Sequence, residues 1–350
     1  MTETACDNDS KARNGAESGE AAQNLARRLA VVVVTYRRQH LLGELFDSLA
    51  ELTTHPWRIY VVDNENSQDT QTRVRDFGER LVDAWGEPDD GTERVVYLPQ
   101  PVDVGCSAGF NAGMKRAYRD GAEWFWLVDD DVAVLPDAVE TLAPWTDAHD
   151  VIQGARFDFF GEDVPQPRDL NVAFGTPVLS PPRFGRAGYR VTNVVSFEGA
   201  LVKRSIVSAI GLPDPRFFIT MDGVVYGYCA SKVTNPIMIP AKVLRKTREK
   251  TEYDIAGLAQ ITGLSNVQRY HLMRNRGYLA RYLQLHGDFH PFLFALGTMS
   301  TFGLELFRLG TVDRADMVPG FFELFKGWMA SRRVMHDPDW KPMHGATHTC

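Results

Sequence analysis

The sequence contains few cysteines and no long hydrophobic run. Its four cysteines, Cys6, Cys106, Cys229 and Cys350, are far apart, and none has the spacing of a CxxC motif or a zinc finger. We therefore expect four unpaired thiols in a reducing compartment. No stretch of about 18 uncharged apolar residues occurs, so a membrane-spanning helix is not expected.

The sequence also has no excess of positive charge. Lysine and arginine total 38 against 45 aspartate and glutamate residues, which gives a formal net charge of −7. This balance excludes a globally basic nucleic-acid-binding protein. Residues 1–24 contain no apolar segment typical of a secretory signal, so we expect a cytoplasmic protein. Residues 1–26 show no hydrophobic periodicity and are predicted to form a disordered tail.

The hydrophobic pattern predicts an α/β fold. Residues 29–36 form a continuous β-branched run, typical of a central parallel strand buried on both faces. A helix at 40–52 and a second strand at 57–62 follow. Further strands at 94–98 and 124–128 extend a mostly parallel, doubly wound sheet over about the first 145 residues. After Tyr253 the pattern becomes helical, with helices predicted at 265–285, 291–309 and 314–334.

Polar residues follow three of the predicted strands. Thr35, Tyr36 and Arg37 end the first strand, Asp63 ends the second, and Asp129–Asp131 end the fourth. Ligands of open α/β sheets bind beyond the carboxyl ends of the strands. One crevice is therefore expected to collect all three groups.

The strongest chemical signal is the run of three aspartates at 129–131. Adjacent carboxylates repel one another and cost desolvation energy, and a divalent cation with oxygen ligands, Mg²⁺ or Mn²⁺, usually relieves both effects. Asp129 and Asp131 project to the same side of an extended backbone and could bind one metal ion. The alternative interpretation is a solvated acidic turn.

Two further segments are weak signals when taken alone. Asp63 could accept a hydrogen bond from a ribose hydroxyl or a base N–H, or it could cap a helix. Residues 103–113 read DVGCSAGFNAG, and their glycines permit close backbone approach and leave N–H groups free for an anion. This segment matches neither the GxGxxG nor the Walker A pattern.

Together, these segments resemble family-2 glycosyltransferases of the GT-A fold. VVVVTYRR, VVDNENSQD, VGCSAGFNAGMKRA and WFWLVDDDV follow the order of that family's motifs, and FEGALVKRSIVSAIGLPDPRFF resembles its acceptor-side block. Residues 270–278, YHLMRNRGY, are similar to a segment of galactofuranosyl- and rhamnosyltransferases of bacterial cell-surface polymers. The resemblance implies a GT-A domain at 27–250, with a helical C-terminal region at 251–350.

The resemblance also implies an activity and a set of site residues. It implies inverting transfer of a galactofuranose- or rhamnose-type sugar from a UDP- or dTDP-linked donor to a hydroxyl of a glycan or lipid-linked acceptor. The implied nucleotide-sugar-binding residues are Thr35, Tyr36, Arg37, Asp63, Gly109, Asn111, Asp129 and Asp130. Asp129 and Asp131 would hold Mn²⁺ or Mg²⁺, which would neutralise charge on the departing diphosphate.

The chain departs from the family pattern at the catalytic base. Relatives carry a paired acidic motif, W-D-D-x-[DE]-Y-G, where residues 221–227 of this chain read MDGVVYG. Asp222 matches the first acid and is the predicted base, whereas Gly223 occupies the place of the second and Val225 that of the following acid. Glu198 is an alternative base.

A metal-binding histidine that relatives carry further on is also missing. The stretch 243–246 reads VLRK, so Arg245 or Lys246 stands at its place and could pair with a diphosphate instead. These departures leave open a catalytically degenerate family member that acts as a partner or scaffold. A nucleotidyltransferase is a weaker alternative, because the glycine-rich basic loop expected after its first strand is missing.

The C-terminal helices are locally basic and partly apolar. Arg269, Arg274, Arg276 and Arg281 either form a solvated helical face or attract a lipid-linked pyrophosphate or anionic headgroups. Arg274 is more often part of a structural pair than a ligand. The apolar stretch at 291–304 indicates a packed helix, with a membrane-surface helix as the alternative. We therefore expect the protein to bind peripherally to the cytoplasmic face of the membrane.

Overall fold

A mixed β-sheet lies at the centre of the protein. The computed structural model describes residues 19–88, 90–162, 169–178, 184–249, 252–254 and 260–343. In chain order the strands within these ranges are β1 (Leu29–Thr35), β2 (Arg58–Asp63), β3 (Val95–Pro99), β4 (Trp124–Asp129), β5 (Val132–Val134), β6 (Val151–Phe157), β7 (Asp169–Asn171), β8 (Thr176–Val178), β9 (Arg190–Val191), β10 (Ala200–Lys203), β11 (Ile237–Lys246), β12 (Glu252–Asp254) and β13 (Gln260–Thr262). Nine of these described strands form the central sheet, and the pairs β7–β8 and β12–β13 are separate.

The strand order brings the carboxyl ends of β2, β1 and β4 side by side. The order is β3-β2-β1-β4-β10-β6-β11-β5, with β9 paired to β11. The strands β3, β2, β1 and β4 run parallel to one another. In contrast, β10 runs antiparallel to both β4 and β6. The predicted α/β fold with a mostly parallel sheet is therefore confirmed.

Helices cover both faces of the sheet. In chain order they are α1 (residues 19–26), α2 (Gln39–Ala50), α3 (Gln68–Trp85), α4 (Gly105–Asp120), α5 (Ala138–Leu142), α6 (Arg204–Ile210), α7 (Asp222–Ala230), α8 (Asn266–Leu285), α9 (Pro291–Thr311) and α10 (Met317–Met335). Val31 and Val33 of β1 pack in the cluster that contains α2 and α3, whereas Val32 and Val34 pack in the cluster that contains α4. Alternate strand residues face opposite sides, so β1 is buried on both faces as predicted.

The N-terminal segment differs from its prediction at residues 19–26. These residues were expected to belong to the disordered tail, but they form α1. Ala22 and Leu25 are buried in the same cluster as Leu29 of β1, and their spacing of three puts both on one helix face. A helix of eight residues is too short to produce a recognisable periodic pattern. Residues 1–18 of the predicted tail lie outside the described residues.

Helix α8 joins the C-terminal helices to the sheet. It packs along α10 and also contacts α7. One hydrophobic cluster unites the two parts of the chain: Phe217, Val225, Tyr228, Leu279, Tyr282 and Leu283. The C-terminal helices therefore do not stand apart, because α8 shares a core with the sheet-bearing part of the chain. The predicted boundary at residues 250 and 251 lies outside the described residues and stays a prediction.

The arginines of α8 do not form a basic surface patch, contrary to both interpretations of the sequence. Arg269 is fully buried and pairs with Asp313. Arg276 is also buried and donates to backbone carbonyls next to β8. Arg274 and Arg281 donate to carbonyls of other segments as well. Since these guanidinium groups bind main-chain oxygens or a carboxylate of the chain itself, they stabilise the packing of α8.

In the helices α9 and α10, most buried residues are small or polar, and many exposed residues are large and apolar. Of their nine buried residues, six are small or polar: Gly297, Thr298, Glu305, Gly320, Gly327 and Ser331. Their exposed residues include a large apolar set, here called the α9–α10 apolar face: Phe292, Leu296, Met299, Leu304, Phe307, Val318, Phe321, Phe322 and Phe325. Exposure reaches 80% for Phe292 and 62% for Val318. Within the described part of the chain, Pro291–Thr311 alone is long and apolar enough to cross a membrane.

Candidate active site

The polar strand ends meet at one edge of the sheet, as predicted. Thr35 ends β1 directly opposite Asp63 of β2, and Asp129 of β4 lies opposite Val34 of β1. All three residues therefore lie at the carboxyl edge of neighbouring parallel strands. In open α/β sheets this edge is where ligands bind.

Three carboxylates converge at this edge. Oxygens of Asp129, Asp131 and Glu198 all lie within 4.8 Å of one another. Burial raises the pKa of Asp129 well above its ordinary value, and the neighbouring charges of Asp131, Asp130 and Glu198 raise it further. Hard oxygen donors of this kind suit Mg²⁺ or Mn²⁺. Glu198, which the sequence suggested as an alternative base, thus belongs to the group that could hold a metal.

Asp130 is committed to the protein rather than open to a ligand. Its carboxylate accepts hydrogen bonds from Thr35 Oγ1 at 2.8 Å and from Arg38 Nη1 at 2.8 Å. The side chain is almost fully buried, so its contacts tie the end of β1 to the end of β4. Arg38 was missed by the sequence reasoning, which stopped at Arg37. The run of two arginines after β1 was the available signal.

Tyr36 and Arg37 lie at the surface above the sheet edge. The backbone of Arg37 has φ 55°, a left-handed conformation that turns the chain after β1. Its Nε donates to Glu65 at 3.1 Å, and its guanidinium lies 5.1 Å from the centre of the Tyr36 ring. Both side chains remain accessible to a ligand. Their predicted role in nucleotide binding stays a prediction.

Asp63 organises the loop that follows β2. Its carboxylate accepts hydrogen bonds from the backbone N–H groups of Glu65 and Ser67, both at 2.9 Å, and from the Tyr97 hydroxyl at 2.8 Å. The side chain has no exposed surface. Asp63 therefore holds the turn before α3 but does not cap that helix, whose N-cap is Ser67. Its predicted contact with a nucleotide stays a prediction.

Gly109 and Asn111 pack α4 against its neighbours. A Cβ atom at Gly109 would lie 2.6 Å from Val34 Cγ1, and one at Gly113 would lie 2.4 Å from Val32 Cγ1. The four-residue spacing therefore lets the helix pack tightly against β1. Asn111 Nδ2 donates to the carbonyl of Pro213 at 2.7 Å. Both residues thus have a packing role, and their predicted place in nucleotide-sugar binding stays a prediction.

Asp222 is the first residue of α7. Burial raises its pKa to about 6, and no charge of the acidic cluster contributes to that shift. Burial also raises the pKa of the Cys106 thiol, at the start of α4, and Asp129, Asp222, Asp130 and Glu198 raise it further. Cys106 is therefore within electrostatic range of both Asp222 and the acidic cluster.

Steric packing explains why Gly223 stands where the family carries its second acid. A Cβ atom at Gly223 would lie 2.6 Å from the carbonyl oxygen of Val195. A side chain at this position would force the backbone near Val195 to move. The loss of the second carboxylate is therefore built into the packing of α7.

The backbone before Asp222 is strained and is held by α8. Phe218, Thr220 and Met221 all have positive φ angles, which cost energy for residues other than glycine. Asn275 Nδ2 donates to the carbonyls of Phe217, Ile219 and Thr220 at 3.0, 2.8 and 2.9 Å. Asn275 thus stabilises the loop before Asp222, and Arg274 donates to the carbonyl of Phe217 in the same loop, in agreement with the structural role predicted for Arg274.

Comparisons with known proteins agree with this architecture. The sheet with an acidic cluster at its carboxyl edge is a GT-A glycosyltransferase fold. The sequence profile of glycosyl transferase family 2 matches residues 30–211, just over half of the chain, and the chain therefore belongs to this enzyme family.

Among proteins similar in sequence are two galactofuranosyltransferases named GlfT1. The protein from Mycolicibacterium smegmatis is 29% identical over 274 residues, which is 72% of this chain and 82% of the relative. The one from Mycobacterium tuberculosis H37Rv is 29% identical over 208 residues, 55% of this chain and 61% of the relative. In structure, residues 1–349 of TarS from S. aureus superpose with a TM-score of 0.51 at 14% identity, covering 88% of this chain and 82% of that one.

Proposed function

We propose that this glycosyltransferase moves a galactofuranose- or rhamnose-type sugar from a UDP- or dTDP-linked donor to a hydroxyl of a glycan or lipid-linked acceptor, with inversion. The observation that carries the proposal is the convergence of Asp129, Asp131 and Glu198 beyond the ends of parallel strands. The activity named for the mycobacterial relatives supports galactofuranose as the sugar.

The donor would lie across the edge formed by β1 and β4. Tyr36 offers an exposed aromatic ring to a base, and Arg37 offers an exposed guanidinium to the diphosphate. Asp63 and Asp130 would act indirectly, because their hydrogen bonds hold the segments that follow β2 and β1 in place. We therefore propose direct contact for Tyr36 and Arg37 and a positioning role for the two aspartates.

The carboxylates of Asp129, Asp131 and Glu198 fit a divalent metal, Mn²⁺ or Mg²⁺. All three are hard oxygen donors from neighbouring segments of the chain. When bound, such an ion would neutralise the negative charge that develops on the departing diphosphate. Burial and the neighbouring carboxylates raise the pKa of Asp129, and a bound cation would lower it again.

Asp222 is our proposed catalytic base. The acceptor oxygen would form a bond to the anomeric carbon as the bond to the diphosphate breaks, and the hydroxyl proton would pass to the Asp222 carboxylate. A pKa of about 6 leaves this group ionised at neutral pH yet more basic than an ordinary aspartate. Glu198 is less suited, because Lys246 and Arg156 pair with its two oxygens.

The second candidate function is that of a catalytically degenerate partner or scaffold. The observation in its favour is Gly223, where packing against Val195 leaves no room for the second acid of the family motif. In that case the chain would bind a nucleotide sugar without turnover. A comparison of binding with turnover separates the two candidates.

We also propose that the enzyme binds peripherally to a membrane through the α9–α10 apolar face. An apolar helix face that is left exposed while small and polar residues pack inward is typical of helices that lie on a bilayer. A lipid-linked acceptor would be presented at such a surface.

The donor proposal is tested by thermal unfolding of the full chain with a panel of nucleotide diphosphate sugars, with and without Mn²⁺. A ligand that binds only the folded protein at 100 times its Kd adds about 2.7 kcal/mol to the free energy of unfolding. We expect a UDP- or dTDP-linked sugar to raise the melting temperature of the wild type by several degrees. We expect Asp129→Asn to reduce the shift and the exposed Asp83→Asn to preserve it. A panel in which no sugar nucleotide changes the melting temperature would contradict the proposal.

A further inference from the structure

Lys246 lies inside the carboxylate group that could hold a metal. Its Nζ atom is 2.7 Å from Asp131 Oδ1 and 2.9 Å from Glu198 Oε1. The side chain is only 6% exposed, so this ammonium group is almost completely removed from water. One buried cation thus bridges two of the three carboxylates.

The position of Lys246 is fixed by the sheet. In the β11–β5 pair, Lys246 lies opposite Val132, the residue that follows Asp131. The next residue, Thr247, donates its backbone N–H to the carbonyl of Asp131 at 3.0 Å. The backbone of Lys246 is therefore anchored directly beside Asp131, and the bridge follows from the register of the sheet.

The chain itself supplies most of the positive charge that the acidic cluster needs. Lys246 pairs with Asp131 and Glu198, and Arg156 pairs with the second oxygen of Glu198. Arg38 pairs with Asp130 at 2.8 Å and lies 3.8 Å from Asp131. These three cations offset all but one of the four negative charges contributed by residues 129–131 and Glu198.

A divalent ion and the Lys246 ammonium would compete for these carboxylates. A Mg²⁺ ion binds carboxylate oxygens at about 2.0–2.1 Å, and the ammonium already lies within hydrogen-bond distance of one oxygen of Asp131 and one of Glu198. Two cations placed that close in a buried site repel each other strongly.

We propose that Lys246 is a built-in cation that takes the place of a divalent metal in the donor-free enzyme and competes with it for Asp131 and Glu198. The inference deepens the proposed function, because it concerns the same carboxylates. Its consequence is that the resting enzyme binds Mn²⁺ weakly. A metal ion can enter only when the ammonium leaves its two partners.

The test is a titration of the donor-free full chain with Mn²⁺, in which the electron paramagnetic resonance signal of free Mn²⁺ reports binding. Lys246→Met keeps the length of the side chain and removes its charge. We expect it to bind Mn²⁺ at least tenfold more tightly than the wild type. Adding Asp131→Asn to this variant should remove the gain.

Arg245→Met is the matched control, because it removes one positive charge from the adjacent, exposed position of β11. It should leave the Mn²⁺ affinity at the wild-type level. Lys246→His is a second test variant, since it replaces the ammonium with a metal ligand and should also bind Mn²⁺ more tightly than the wild type. Circular dichroism verifies that each variant is folded.

Two results would overturn the inference. One is that the folded Lys246 variants bind Mn²⁺ no more tightly than the wild type, since removal of the ammonium would then free no site. The other is that the gain persists when Asp131→Asn is added, since the metal would then bind elsewhere. Neither result depends on sugar transfer, because no donor is present. The proposed function is tested separately, by the melting temperature of the wild type with the panel of nucleotide diphosphate sugars.

Discussion

At the scale of single residues, Asp222 is the proposed base, although the family motif around it is incomplete. The aspartate is retained, but its acidic partner is replaced by Gly223, where a Cβ atom would collide with the Val195 carbonyl. Burial rather than a second carboxylate raises the pKa of Asp222 to about 6. A single buried acid can therefore have a base strength that differs from that of an exposed aspartate.

This raised pKa predicts a pH-dependent effect of Asp222→Asn on stability. The unfolded chain loses the proton near pH 3.8 and the folded protein near pH 6, so the free energy of unfolding of the wild type falls as the pH rises through that window. Asparagine carries no charge to bury. Asp222→Asn should therefore be more stable than the wild type by up to about 3 kcal/mol above pH 6. Below pH 4 the difference should nearly vanish.

Urea unfolding at pH 4.5 and pH 7.5 measures this difference. The exposed Asp83→Asn is the control and should change stability little at either pH. If Asp222→Asn differs from the wild type by the same amount at both pH values, then Asp222 does not titrate in this window.

At the scale of elements, α9 and α10 carry the strongest unexplained feature of the fold. Burial of a phenylalanine side chain is worth about 1.5–3 kcal/mol, yet several phenylalanines of the α9–α10 apolar face remain exposed. Replacing Phe307 and Phe322 together by aspartate should weaken binding to anionic phospholipid vesicles at least tenfold. The reason is that two apolar anchors are lost and two negative charges are added.

Vesicle flotation measures this binding. Val233→Asp is the control, since Val233 is an apolar residue of similar exposure, 52%, that lies outside both helices. It should bind like the wild type. A wild-type chain that does not float with the vesicles would contradict the membrane proposal.

The elements of the sheet were predictable because their pattern is local. The β-branched run of β1 and the apolar spacing of α2 follow from one stretch of chain each. The arrangement of the site was only partly predictable, because Glu198, Lys246 and Arg156 reach it from distant segments. The family resemblance indicates that Arg245 or Lys246 stands at the place of a histidine, but only the β11–β5 register puts the Lys246 ammonium between two carboxylates.

The glycines of α4 also show why the site was only partly predictable from the sequence. Their spacing was visible in the sequence, and a glycine-rich start of a helix is also typical of anion-binding loops. Only the packing of Gly109 against Val34 identifies a helix that must approach the sheet closely. Residues of similar pattern thus serve packing in one context and ligand binding in another.

At the scale of the whole molecule, the chain places a family-2 glycosyltransferase site on the sheet and an apolar face on its C-terminal helices. The inner C-terminal helix, α8, also holds the strained loop that precedes Asp222, through Asn275. Helix α8 therefore supports the loop that precedes the proposed base.

Sugar transfer at this site with Asp222 as the base is tested by the rate of UDP release from UDP-galactofuranose. The purified full chain is used, with a membrane lipid extract as the source of acceptors. The wild type should release UDP continuously, and Asp222→Asn should be at least about a hundredfold slower, the usual effect of losing a general base. If the folded wild type and Asp222→Asn release UDP at the same slow rate, the catalytic account is wrong.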